Sequence, residues 1–464
     1  MKKLAISALI LLNTASVMAA PIMRVPNTAS SRSVINQLSL DYTSRTPEYI
    51  EFVYDERAKQ SLIDLGNGNA SFFKKTDITN KDADAQFDEL RKLNDLGIYH
   101  TYQEIVNELT QYSKNYANIA NLIEVGTTFE GRTIYGIEIG NKSTKDKVPF
   151  LIMGTHHARE WIASEVPMAS IKDLLESYTS DDQAKSIVDT STIVYVPMLN
   201  VDGGIYSRTS KAMWRKNRNA NNKGGVGVDN NRNYEYKWGV SGASSSPWSD
   251  TYKGETPMSE NENQAIDKLY QKYKFKSAVS FHSYSELVLW PWGYTSAIQC
   301  KDNEIFEKIG TGMSKIMGYR PMQSADLYPA AGDSDDYLYA KYGVLAYTIE
   351  LGTRFVPSES RVPIINAKGS KALRYFFENA RNPFKDVVDT KEYKVLKSLE
   401  YTVYALERSE LDESTLQDAY EKLAKFSKKE REHGMSTLKM KFRVKKHIES
   451  DLKAYSRYKK QNQE

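Results

Sequence analysis

The densest chemistry in the sequence sits in T-H-H-A-R-E, residues 155–160, directly after the uncharged apolar run V-P-F-L-I-M at 148–153. An imidazole and a carboxylate within one turn of each other can point at a common ion, and that donor mix suits zinc. His156 lies four residues and His157 three residues before Glu160, so spacing alone leaves open which histidine pairs with it. A catalytic zinc takes three protein ligands and keeps one position open, so a third donor has to come from elsewhere. Only six histidines are present: His100 stands at the edge of the patterned region, and His433 and His447 fall in a charged tail. His282 alone closes an apolar run, A-V-S-F-H. A solitary histidine there ordinarily reads as a hydrogen-bonded core residue. In a chain that also carries H-H-A-R-E, it reads as the third ligand.

Donors so far apart in sequence need a scaffold to bring them together, and the patterning supplies one. The stretch Y-H-T-Y-Q-E-I-V-N-E-L-T-Q-Y-S-K-N-Y has helical periodicity, and L-I-E-V-G-T-T-F-E-G-R-T-I-Y-G-I-E-I-G reads as two strands around a turn at Glu130 and Gly131. S-T-I-V-Y-V-P-M-L-N, F-K-S-A-V-S-F-H-S and V-L-A-Y-T-I-E-L are β-rich apolar runs that end in polar residues. Strands alternating with helices predict an α/β domain, a mixed central sheet flanked by helices on both faces, with its ligand beyond the carboxyl ends of the strands. Those ends are where His157, Asn200, His282 and Glu350 fall.

The chain has 464 residues, 40% hydrophobic and 26% charged, enough to bury a large core. Its first residues, M-K-K-L-A-I-S-A-L-I-L-L, followed by small residues ending V-M-A, read as a bacterial secretory signal peptide over 1–19. Export is therefore expected, to the periplasm or beyond, and no later apolar run is long enough for a membrane span. A single cysteine, Cys300, excludes an intramolecular disulfide. A formal net charge of +4 gives no ground for a nucleic-acid partner. Residues 20–95 are polar, with an extended piece Y-I-E-F-V-Y-D-E, and read as a small leading domain or pro-segment. Residues 96–384 form the catalytic unit. Residues 385–464 turn helical and then basic, a solvated extension or an arm for an anionic surface or protein partner.

The motifs H-A-R-E at 157–160 and F-H-S-Y at 281–284 closely resemble the signature of the zinc metallocarboxypeptidases of the pancreatic A/B type, from about residue 99 to about 380. The resemblance implies one zinc per chain, with His157, Glu160 and His282 as ligands, and it selects His157 over His156. It places Asp229 as the carboxylate that holds the first zinc histidine, which fits the need for a partner on the other ring nitrogen. M-W-R-K-N-R implies Arg215 as the cation that polarises the scissile carbonyl. D-N-N-R-N implies Asn231 and Arg232 as the grip on a substrate's terminal carboxylate, and S-A-D-L-Y implies Tyr328 as the hydroxyl that closes over it. Y-T-I-E-L-G implies Glu350 as the general base. The activity implied is hydrolysis of the last peptide bond of a peptide or protein.

Aligned on Tyr328, Asp335 falls at the floor of the pocket for the terminal side chain, which implies a preference for Lys or Arg. Asp333 and Asp336 stand beside it, and the plainer reading of G-D-S-D-D is a turn. Tyr284 is assigned to substrate binding, whereas Trp290 and Trp292 are expected to pack under the sheet. G-T-R-F-V-P-S-E-S, after Glu350, lacks the Arg-Asp that usually follows the family's Glu-Leu pair and is shorter, leaving the far wall of the pocket unassigned. The pair Arg91-Lys92 would suit a cut that releases residues 20–95, as in a zymogen. Two rival functions share the zinc site. A cell-wall peptide amidase would have little use for Asn231, Arg232 and Tyr328, and an inactive surface-binding protein would need neither Glu350 nor Arg215.

Overall fold

The computed structural model describes residues 22–28, 31–32, 40, 42–45, 48–53, 74–75, 96–220 and 224–383. The expected signal peptide, most of the leading region and the basic extension lie outside the described residues. Within the leading region, β1 (Ile22–Pro26), β2 (Tyr42–Arg45), β3 (Tyr49–Val53) and β4 (Lys74–Lys75) make a four-stranded antiparallel sheet in the order β2-β3-β1-β4. Met23, Val25, Ile50 and Phe52 are buried in it. The extended reading of Y-I-E-F-V is thus met by β3.

The main unit is built on eight strands: β5 (Ala120–Thr127), β6 (Thr133–Ile139), β7 (Val148–Gly154), β8 (Ser191–Val196), β9 (Ser277–His282), β10 (Leu287–Trp290), β11 (Arg320–Gln323) and β12 (Leu345–Glu350). Their order is β11-β10-β12-β9-β7-β8-β6-β5. The four central strands, β12, β9, β7 and β8, run parallel. On one side β8 meets β6, and β6 meets β5, antiparallel; on the other β12 meets β10 antiparallel. Every residue of β9 and β12 is buried, the pattern expected of strands covered on both faces.

Helices α1 (Tyr102–Asn115), α2 (Ile162–Ser177), α3 (Asp182–Thr190), α4 (Val201–Thr209), α5 (Asn261–Tyr273), α6 (Asn303–Met317), α7 (Ser324–Leu327), α8 (Ser334–Tyr342) and α9 (Val362–Ala380) flank this sheet. The first shows how local sequence sets an element. Thr101 caps the amide of Glu104 at 3.2 Å while the Glu104 carboxylate accepts from the Thr101 amide at 2.7 Å, a reciprocal capping box. Ile105 and Leu109 then bury one face. Against the sheet centre, Phe150 of β7 packs edge-on to Phe376 and Phe377 of α9, with ring centroids 5.7 and 5.3 Å away. Trp290 and Trp292 are buried as expected, the former donating from its indole to Asn303 Oδ1 at 2.9 Å.

Parallel strands bring their carboxyl ends to one edge. Gly154 of β7 is in register with Phe281 of β9, and His282 of β9 with Glu350 of β12. That edge lies where the chain's connections leave the central strands in opposite directions, the usual seat of a ligand in an open α/β sheet.

Candidate metal centre and active site

The metal-ligand turn begins with a glycine that nothing can replace. A Cβ on Gly154 would stand 2.2 Å from the Ala163 carbonyl oxygen and 2.6 Å from that of Pro197. Thr155 follows in the left-handed region at φ 58°, a costly conformation for a β-branched residue. Its surroundings hold it there. Its hydroxyl donates to the Pro197 carbonyl at 3.2 Å, and its own carbonyl accepts from the Asn200 amide at 3.1 Å. The Asn200 side chain donates to the His156 carbonyl at 3.0 Å. The abrupt turn sends the two consecutive histidines in different directions, which resolves what spacing could not. His156 lies among Ser280, Tyr234 and the ring of His282, whereas His157 faces Glu160.

His157, Glu160 and His282 offer ligand atoms that all lie within 4.8 Å of one another, and all three residues are buried. His157 Nδ1 is 2.7 Å from Glu160 Oε1 and 3.1 Å from His282 Nδ1, which is itself 3.1 Å from Glu160 Oε2. Two imidazole nitrogens and a carboxylate facing each other this closely need a proton or a cation between them. The outer nitrogens show which is favoured. His157 Nε2 is 3.2 Å from Asp229 Oδ1, and His282 Nε2 is 3.0 Å from Ser280 Oγ. With those positions protonated and held, both Nδ1 lone pairs turn inward, and the donor set fits zinc. Burial pushes the His282 imidazole below its ordinary range, which keeps it available as a neutral ligand. Burial alone would keep Glu160 protonated, yet His157 and His282 outweigh it and hold the carboxyl far below its usual range.

Asp229 is the hub behind the ligands. One oxygen faces His157 and accepts the Asn231 amide at 2.9 Å; the other accepts Arg215 Nε at 3.0 Å and its terminal nitrogen at 2.9 Å. Burial opposes its ionisation, but Arg215, His157 and Arg232 together hold it well below the carboxylate range. Arg215 also stands 3.8 Å from Glu160 Oε1, so its guanidinium is fixed at the lip of the metal centre. Asn217 fastens the two segments: its amide donates to the Val228 carbonyl at 3.0 Å, and its side-chain oxygen accepts the Val228 amide at 2.8 Å. The Ala158 amide donates to the Arg215 carbonyl at 2.8 Å, tying the ligand turn to the same segment.

The remaining residues picked out by the sequence gather on this edge. Glu350 ends β12 beside His282, separated only by the strand spacing. Arg232 is anchored through Nε to the Gly242 carbonyl at 2.8 Å and through a terminal nitrogen to the Asn231 carbonyl at 2.8 Å. Its Cζ lies 5.9 Å from the Tyr328 ring, which packs against the cluster of Leu287, Leu289 and Leu327. Asn231 Oδ1 accepts the Ser334 amide at 3.0 Å, joining the Arg232 loop to the start of α8.

Asp333 caps α8, its Oδ1 accepting the Asp336 amide at 2.8 Å, so the turn reading of that residue is met. Asp336 accepts the amides of Gly293 and Tyr294 at 2.7 and 2.9 Å. Asp335 is only 3% exposed, and burial with the neighbouring Asp333 pushes its carboxyl up to about 8. Asp336 is pushed up as well, by burial and by Asp333, so the loop holds more than one carboxyl whose charge lacks a cationic partner.

Sequence reasoning passed over four residues here. Ser280 and His156 line the back of the His282 ring. The Arg159 guanidinium lies 4.5 Å over the Phe355 ring and donates to Asp250 at 3.1 Å. Phe355 also meets Tyr284 edge-on at 5.0 Å and accepts the Ser283 hydroxyl at its carbonyl, so it stands beside Tyr284 in the shortened segment whose role the sequence left unassigned. Arg159 lies inside H-A-R-E and His156 stands in the sequence only as the alternative to His157, whereas Ser280 and Phe355 carry no assignment from it.

Carboxypeptidase B of Astacus astacus is 35% identical to this chain over 266 residues, which cover 54% of the chain and 86% of that protein. Human carboxypeptidase A6 is 30% identical over 264 residues, 55% of the chain, and the chain spans 60% of that relative's length. Carboxypeptidase A from Helicoverpa armigera has the same fold, with a TM-score of 0.70 at 20% identity over 80% of this chain and 99% of that one. No helix among the described residues is long and apolar enough to cross a membrane. Residues 105–369, more than half of the chain and all of the site just described, match the zinc carboxypeptidase family, to which this protein belongs.

Proposed function

We propose that the protein is an exported zinc carboxypeptidase that removes single residues from the carboxyl termini of peptides, with a preference for Lys and Arg. The observation that carries the reading is the meeting, on one sheet edge, of the His157–Glu160–His282 donor set with Glu350, Arg215 and the anchored Arg232. Zinc held by those ligands would supply Lewis acidity and make water a nucleophile near neutral pH. Glu350 takes the proton of the attacking water and hands it to the leaving amine. Arg215, already fixed by Asp229, donates to the carbonyl oxygen as it gains charge, where preorganised donors count most for rate. Asn231, Arg232 and Tyr328 bind the terminal carboxylate, which limits cleavage to the last bond. Asp335 receives a cationic side chain, and Tyr284 with Phe355 borders the approach of the preceding residues.

The leading sheet is proposed to be an inhibitory pro-segment. The support for this reading is the dibasic pair Arg91-Lys92, which falls between that sheet and the main unit in the sequence and would suit a releasing cut. Mass spectrometry of peptides ending in Lys, Arg, Phe, Leu or D-Ala, with and without chelator and before and after limited trypsin, tests the reading. Chelator-sensitive loss of one basic residue is expected, with trypsin raising the rate. Cleavage at D-Ala cell-wall ends alone, or none with zinc bound, would overturn it.

A further inference from the structure

The ring nitrogen of His282 that points away from the metal centre is the first member of a hydrogen-bonded chain that the proposed mechanism does not use. His282 Nε2 is 3.0 Å from Ser280 Oγ, which is 3.0 Å from His156 Nδ1, and His156 Nε2 is 3.1 Å from the Tyr234 hydroxyl. None of the four is more than 1% exposed. The rings of His156 and His282 are stacked, 5.3 Å apart and inclined by 16°. Ser280 and His282 are two residues apart on β9 and therefore share a face of the strand.

Proton counting allows this chain two directions, and the zinc reading of the site selects one of them. A serine hydroxyl has one hydrogen and can donate to a neighbour or accept from it, and a neutral imidazole has one donor and one acceptor nitrogen. If Ser280 donated to His282 Nε2, the proton of His282 would be driven to Nδ1, the atom that faces His157 and Glu160, and it would compete with a metal ion. We infer that His156 is a positioning residue that prevents this by accepting the Ser280 proton at Nδ1. Ser280 is left able only to accept from His282, His282 keeps its proton on Nε2, and His156 donates from its own Nε2–H to the Tyr234 hydroxyl oxygen. The inference rests on the zinc reading of the site and adds to it a residue that touches neither metal nor substrate.

The test measures zinc affinity of the full-length chain by competition with a chromophoric chelator, for wild type, His156→Phe, His156→Asn, Ser280→Ala and the double variant His156→Phe/Ser280→Ala. The phenylalanine keeps the stacked ring but removes the acceptor, and the affinity should fall about 10–100-fold, as for other partners of metal-bound histidines. Asparagine can present an oxygen near the Nδ1 position, so His156→Asn should stay within a few-fold of wild type. In the Ser280→Ala background the phenylalanine should cost nothing further, because the hydroxyl it misdirects is gone. 15N spectra of histidine-labelled metal-free protein should show the His282 proton on Nε2 in wild type and on Nδ1 in His156→Phe. Tight wild-type binding with unchanged affinity in a folded His156→Phe variant, or equal losses in the phenylalanine and asparagine variants, would overturn the inference alone. A wild-type chain that takes up no zinc would overturn the metal centre and the inference with it.

Discussion

Replacing Asp335 by asparagine should separate the cleavage of basic termini from that of apolar ones, and the structure sets the size and pH dependence of the effect. Asp335 lies in the first turn of α8, nearly fully buried, with the hydroxyls of Thr348 and Ser334 as its hydrogen-bonding neighbours, the latter 3.4 Å from Oδ1. Burial first, and Asp333 second, push its carboxyl up to about 8, so at pH 7 the free enzyme holds it mostly protonated. An incoming ammonium or guanidinium has to displace that proton. One pH unit of displacement costs about 1.4 kcal/mol. A desolvated charge pair returns roughly 2–5 kcal/mol. The net preference for Lys or Arg over Leu or Phe is therefore about 0.6–3.6 kcal/mol at pH 7, roughly 3- to 400-fold in kcat/KM. Because the proton is lost as pH rises, the ratio of basic to apolar kcat/KM should climb up to about tenfold per unit below pH 8 and level off above it. Asp335→Asn should flatten the profile and bring the ratio close to one, leaving apolar substrates within a few-fold. The assay is kcat/KM on paired peptides differing only in the last residue, from pH 6 to 9. A pH-independent ratio in the wild type, or equal losses on both substrates in the variant, would refute the pocket assignment.

Asp229→Asn should weaken zinc binding about 10–100-fold by loosening His157, and destabilise the fold by about 3–5 kcal/mol by removing the nearest counter-charge of the buried Arg215; urea unfolding and chelator competition read the two effects. Because the Asp229 carboxyl is held below its unfolded range, its stabilisation is present above about pH 4 and fades as the pH falls further, so the gap between wild type and variant should narrow in acid. Glu350→Gln should lower kcat by about 10²–10⁴ with zinc uptake unchanged, measured by single-turnover kinetics and metal analysis. Gly154→Ala should abolish soluble folded protein or zinc uptake, since its Cβ would meet two backbone carbonyls that neither side chain motion nor a rotamer change can move aside; a variant with a wild-type melting temperature and metal content would contradict the close packing of that turn.

The parts of this molecule that were legible in the sequence are those governed by local pattern. The helical periodicity from Tyr99 to Tyr116 announces α1, the turn at Gly131 announces the β5–β6 hairpin, and the apolar runs ending at His282 and Glu350 announce β9 and β12. The choice between His156 and His157 was not legible from spacing, because it is made by a left-handed Thr155 and by loops around Pro197 and Asn200 that hold it. Asp229 could be placed only by resemblance. Its role depends on a ring nitrogen 72 positions away in the chain, and no periodicity encodes such a meeting. Asp333 shows two readings holding together. The residue is a helix cap, as turn chemistry predicts, and its charge still acts on Asp335 next door. The edge strand β11 and its neighbour β10 were missed because R-P-M-Q and L-V-L-W are too short to carry a period of two.

Glu350 and His282 face each other across the β9–β12 ladder, in the parallel centre of an eight-stranded sheet. The backbone separation of these two residues is thus a lattice constant of the sheet, about 4.8 Å. It cannot be tuned by a loop, and it cannot drift while the ladder holds. The expected consequence is that activity and the β9–β12 ladder are lost together on heating, which peptide hydrolysis and amide exchange followed over one temperature range would check.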